Sequence, residues 1–125
     1  RLSPHHGLPI CAGVKASYTG TGIGNPLQLD NGAIKVSGTN KAAFVHTVTN
    51  ANKLTSTSTE IDNPLCNGDP NCIIIITALI RDINGSFKQQ LGVYYDVNRA
   101  KWQILSLNAQ AFATPTYFNV WVVKQ

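Results

Sequence analysis

The side chains able to do chemistry in this sequence are few and scattered. Its carboxylates are Asp30, Glu60, Asp62, Asp69, Asp82 and Asp96. Glycoside hydrolysis needs two of them facing one cleft about 5–10 Å apart. Each, however, stands beside a turn former or at the end of a strand-like run, where carboxylates cap turns. His5 and His6 are neighbours, and on an extended chain they point opposite ways, a poor start for a metal site. His46 lies mid-run beside Phe44, the setting of a core histidine. No Gly-x-Ser-x-Gly elbow, phosphate loop or HExxH occurs, so neither a nucleophile nor a metal-bound water is in prospect. The expectation is a protein that is not an enzyme and that carries no cofactor and no metal.

Oxygen-bearing side chains are densest between Glu60 and Asn71. Calcium accepts groups such as Asp62, Asn67, Asp69 and Asn71. The spacing is not that of an EF-hand, and the same residue types build turns. Within this stretch Cys66-Asn-Gly-Asp-Pro-Asn-Cys72 is a short run of turn formers able to bring two sulfurs together. A Cys66–Cys72 disulfide is expected, with free thiols as the competing reading. A zinc site lacks both C-x-x-C spacing and a nearby His. Cys11 is then left over, free, buried or joined to a second chain.

Aromatic rings are the other candidates for binding, because flat apolar rings complement the apolar faces of sugars. Tyr18, Tyr94, Tyr95, Trp102, Tyr117 and Trp121 are available, and Trp102 is assigned to the core. Tyr94 and Tyr95 must face opposite sides of a strand. Tyr94, Tyr95 and Trp121, with Asn67 and Asp69 as polar partners, form the expected ligand-binding set.

The elements that must position these residues read as strands. Residues 1–12 hold two prolines and no periodicity, and are expected to form an extended arm with few contacts to its own domain. Strand-like runs follow at Gly13–Tyr18, Leu27–Asp30 and Ala33–Ser37, with Asn31-Gly32 as a hairpin turn. Further runs are Lys41–Thr49, Leu54–Ile61, Ile73–Ile80, Ser86–Val97, Lys101–Leu107 and Tyr117–Val123. The unbroken apolar run Ile73–Ile80 suits a strand buried on both faces, and Asn84-Gly85 would turn it into the next strand. Asn108–Phe112 is the one candidate helical turn. Residues 13–125 are therefore expected to form one all-β domain, an antiparallel β-sandwich of eight or nine short strands, with a barrel as second choice.

Composition narrows the partners. Charged residues make up 13% of the chain, about half the usual share, so the surface is polar but sparsely charged. The net charge of +4 comes from lysines and arginines placed singly, without the basic run or helix that nucleic acid requires. No apolar run is long enough to span a membrane. The chain starts at Arg1 and contains no Met, as expected of a mature, secreted protein after signal removal. Thr55-Ser-Thr-Ser-Thr59 reads as a solvated edge. Asn84-Gly85-Ser86 matches an N-glycosylation sequon that the turn already explains.

Several motifs carry a resemblance. They are Phe44-Val45-His46-Thr47, Ile61-Asp62-Asn63-Pro64-Leu65, Asn67-Gly68-Asp69-Pro70-Asn71, Leu91-Gly92-Val93-Tyr94-Tyr95-Asp96, Lys101-Trp102-Gln103-Ile104 and Phe118-Asn119-Val120. In this order they resemble an uncharacterised family of bacterial extracellular modules found in multi-domain surface proteins. That family carries Ala where Cys72 stands here, which makes the small bridge an addition of this chain. The resemblance implies a secreted or cell-surface, non-enzymatic β-module. The expected function is a binding or adhesion module for carbohydrate. The alternative is a structural subunit that self-assembles into an extracellular filament or coat through its N-terminal arm.

Overall fold

The structure, a computed structural model, describes residues 13–82 and 87–125. Its contacts divide the chain into two units, Arg1–Lys35 and Val36–Gln125. All regular structure among the described residues lies in the second. Seven strands occur there: β1 (Ala43–Thr47), β2 (Lys53–Thr55), β3 (Ser58–Ile61), β4 (Ile73–Ala78), β5 (Leu91–Asp96), β6 (Lys101–Ser106) and β7 (Tyr117–Val123). They form a three-stranded sheet, β1-β7-β4, and a four-stranded sheet, β2-β3-β6-β5. Every pairing is antiparallel. No described helix is long and apolar enough to cross a membrane.

Period-two alternation builds the sandwich. Along β7 the residues Phe118, Val120 and Val122 are buried, while Asn119 and Trp121 are exposed. Ile74 of β4 joins them in the core, and the other sheet contributes Ile61 and Ile104. Full burial of each large apolar side chain contributes about 1.5–3 kcal/mol. Phe118 is the hub: its ring meets Phe112 at 5.5 Å and Phe87 at 6.1 Å, both edge-on.

A polar tie crosses the core. His46 on β1 and Thr59 on β3 belong to different sheets, and His46 Nε2 lies 2.8 Å from Thr59 Oγ1. The Thr59 hydroxyl donates to Asn52 Oδ1 at 3.0 Å, so it must accept from the ring. His46 is thereby fixed as the Nε2–H tautomer. It is the core histidine that its neighbours in sequence suggested.

Several expectations are corrected. No strand forms between residues 13 and 42. Asn31 has the positive φ of 51° that suits a hairpin turn, but its flanking alternations are too short to offset the entropy of ordering a sheet. The run Leu54–Ile61 is a hairpin rather than one strand. Thr55 Oγ1 meets Ser58 Oγ at 2.8 Å inside the turn, so these hydroxyls close a bend.

Strands β4 and β5, expected as the two arms of a hairpin, lie in different sheets; Asn84-Gly85 itself falls outside the described residues. Ile73–Ile76 is buried on one face only: Ile74 is covered, whereas Ile73 and Ile75 are 42% and 46% exposed. An edge strand of an antiparallel sandwich has one core face, and unbroken apolarity does not supply a second. Asn108–Phe112 is not helical; Ala109 has φ 59°, which ends any helical turn. The arm, residues 1–12 with Cys11, lies outside the described residues.

Candidate functional site

The outer face of β1-β7-β4 carries an exposed tryptophan and an open groove. Trp121 stands on the central strand, opposite Ala43 on β1 and Ile75 on β4. Its neighbour two residues back, Asn119, faces Val45 and Thr77. Asn119 Nδ2 donates to Thr77 Oγ1 at 3.1 Å on this exposed face. The indole is 51% exposed. Around it an open groove of about 570 Å³ is lined by Lys41, Val45, Ile75, Thr77, Asn119 and Trp121. A flat ring beside amide and hydroxyl groups can stack an apolar ligand face and hydrogen-bond its rim.

The other expected ligand residues lie elsewhere. Tyr94 is 48% exposed on the outer face of the second sheet, opposite Gln103. Tyr95 turns inward and meets Trp102 edge-on at 5.4 Å, while Trp102 Nε1 donates to the Asp69 carbonyl at 3.0 Å. Asn67 and Asp69 are occupied in shaping their loop. Asn67 Nδ2 donates to Asp62 at 2.7 Å, and its Oδ1 accepts from the Asn63 amide. Asp69 accepts from the Asn71 amide, the Cys72 thiol and Lys124. Trp121 and Tyr94 thus stand on different sheets, and Asn119, Thr77, Val45 and Ile75 are the partners that sequence reading missed. Period two puts Asn119 on the Trp121 face, but only the sheet order brings in β1 and β4.

A match to one domain family spans residues 30–122. The chain belongs to that family, described as a domain of unknown function, DUF7452. No curated protein and no solved structure matches it. The DUF7452 match takes in six whole strands and all of β7 but Val123, so the sandwich and its Trp121 face fall within it.

Three carboxylates of this DUF7452 domain, Glu60, Asp62 and Asp69, are ion-paired. Glu60 on β3 binds Arg99, whose Nη2 lies 3.3 Å from Oε1. Lys101 reaches both Glu60, at 3.6 Å, and Asp62, at 3.2 Å. The hydrogen bond from Arg99 holds the Glu60 carboxyl below its usual range despite partial burial. Hydrogen bonds from Asn67 and then Lys101 do the same for Asp62, and Lys124 with Cys72 for Asp69. All three are driven toward the carboxylate, whereas a general acid requires a raised value. Among the described residues, no buried side-chain polar atom lacks a partner and no cluster of His, Cys, Asp and Glu could hold a metal. A smaller pocket of about 280 Å³ lies beside Tyr117, but Arg81 already covers that ring at 4.2 Å.

The expected disulfide is not formed. Cys66 and Cys72 are free, buried thiols. Turn residues do bend the loop, with Gly68 at φ 72°, yet each sulfur faces protein oxygen: Cys66 the Asn63 carbonyl at 3.5 Å, Cys72 the Asp69 carboxylate at 3.3 Å. Burial pushes the Cys66 thiol up to about 11, with the neighbouring Cys72 adding to it; burial and then the Asp69 carboxylate raise Cys72 as well. Thiols so protonated are poor nucleophiles. Native protein should therefore resist iodoacetamide at both positions and label at both once unfolded without reductant. A 66–72 peptide two hydrogens lighter would show instead that the bridge forms.

Proposed function

We propose that the protein is a non-catalytic binding module, secreted or displayed on a bacterial cell surface, with carbohydrate as its ligand. The observation that carries this reading is Trp121, half exposed at the centre of a sheet with the Asn119–Thr77 pair beside it. The sparse surface charge and the ion-paired carboxylates support it, because a neutral glycan asks for stacking and hydrogen bonds rather than charge. Two free thiols suit an oxidising compartment less well, and their burial and raised pKa are what would keep them reduced. The surface context follows the resemblance to extracellular modules of larger proteins.

A glycan array probed with the whole chain tests this reading. Trp121→Ala should weaken binding to any glycan retained by about tenfold or more, as loss of a stacking aromatic anchor does, with unchanged thermal stability. Retention of no glycan, or equal binding by the Trp121→Ala variant, would remove the proposal. Loss on Tyr94→Ala alone would move the site to the other sheet. A second reading, self-assembly into an extracellular structure, is favoured by one specific observation: the exposed isoleucines of β4 lie on an edge strand.

A further inference from the structure

We infer that the free edge of β4 is a self-recognition surface, at which two copies of the chain pair antiparallel and join their three-stranded sheets into one of six strands. This rests on the self-assembly reading and is independent of the glycan. Strand β4 ends its sheet. Among the described residues, no backbone group of Ile73–Ala78 bonds to anything beyond its own sheet. One row of amides and carbonyls therefore faces outward, and an extended strand is the chemistry that satisfies it.

The other edges carry the usual protections against such pairing. Strand β2 is three residues long and begins with Lys53; β5 contains Gly92 and ends at Asp96; β1 is five residues long and is preceded by Lys41. Strand β4, Ile-Ile-Ile-Ile-Thr-Ala, has no charge, proline or glycine. Its outward isoleucines continue the Trp121 row to the edge without a break.

Symmetry selects the occupant. An edge of this kind is complementary to itself, because neither partner brings a charge that the other must bury. A two-fold axis perpendicular to the sheet, passing beside Ile75, keeps both core faces on one side. It sets Ile75 against its own copy and Ile73 against Thr77, the β-branched cross-strand pairs that stabilise sheets. The apolar row becomes Trp121–Ile75–Ile75–Trp121, with the two central strands about 14 Å apart at the usual strand spacing.

Sedimentation equilibrium of the full chain over a wide concentration range tests this. Wild type should form a dimer, and the amides of Ile74 and Ile76, which point away from β7, should gain hydrogen-exchange protection as concentration rises. Ile75→Lys and, separately, Ile73→Lys should weaken association by roughly tenfold or more, with unchanged circular dichroism, since both positions are solvent-facing in the single copy. A wild type that is monomeric throughout overturns both the edge and the self-assembly reading. Assembly that survives both lysine variants, or that is lost only on deleting residues 1–12, overturns the edge and leaves self-assembly to another surface.

Discussion

Phe112→Ala is expected to cost about 3–5 kcal/mol of folding stability, the range for removing a fully buried aromatic ring. Phe112 belongs to no strand, yet it is only 1% exposed and packs edge-on against Phe118. The backbone around it is pinned at three points. Its amide donates to the Ser56 carbonyl, its carbonyl accepts from Lys53 Nζ, and the Ala111 carbonyl accepts from Gln89 Nε2. A segment held this way cannot collapse into the space that the ring leaves, and the cost of such a cavity grows with the volume left unfilled. Since small domains are stable by about 5–15 kcal/mol, the variant should sit close to unfolding. Urea denaturation followed by tryptophan fluorescence measures it. A loss under about 1 kcal/mol would mean that the 107–116 segment lies on the sandwich as a flap and does not seal its core.

That segment also shows where sequence reading stops. Residues 117–123 are legible as a strand because alternation runs unbroken through them, setting Phe118, Val120 and Val122 against Asn119 and Trp121, but alternation alone does not say which of the two faces is inner. Phe112 has no such neighbours. It sits in a stretch whose only local signal is a weak helical one, and its burial is decided by the gap between the sheets. The Ser56-Thr57 turn is hidden for a related reason: hydroxyl side chains close it where Gly, Asn or Pro would have advertised it. The β4 run misleads differently. Apolarity reports that a strand meets something apolar, but whether this is a second layer, a partner chain or water depends on its place in the sheet. The same ignorance of sheet order kept Asn119, Thr77, Val45 and Ile75 from being grouped with Trp121.

Acidification is expected to expose the tie between the sheets. Burial lowers the His46 pKa from 6.5 to about 4, because the ring shares the core with Thr59 and has no carboxylate to stabilise its charged form. In the unfolded chain the same ring takes a proton near pH 6.5. The stability that the neutral His46 contributes is thus fully present above pH 6.5. As pH falls below that value the unfolded state binds a proton that the native state refuses, and stability declines by up to about 1.4 kcal/mol per pH unit. The loss levels off near pH 4, where folded His46 also protonates, at a total of about 3 kcal/mol. Protonation there would add a second donor, on Nδ1, and a charge to a site built for the neutral ring. Glu60, Asp62 and Asp69, whose pKa values are lowered by their partners, add their own losses only as pH falls through the carboxylate range, so the interval from pH 6.5 to 5 isolates the histidine. Urea midpoints measured across it should fall steadily in wild type and stay nearly flat in His46→Gln, which keeps a side-chain donor for Thr59 but cannot titrate. An equal slope in both proteins would place the proton uptake elsewhere and leave His46 as a packing residue alone.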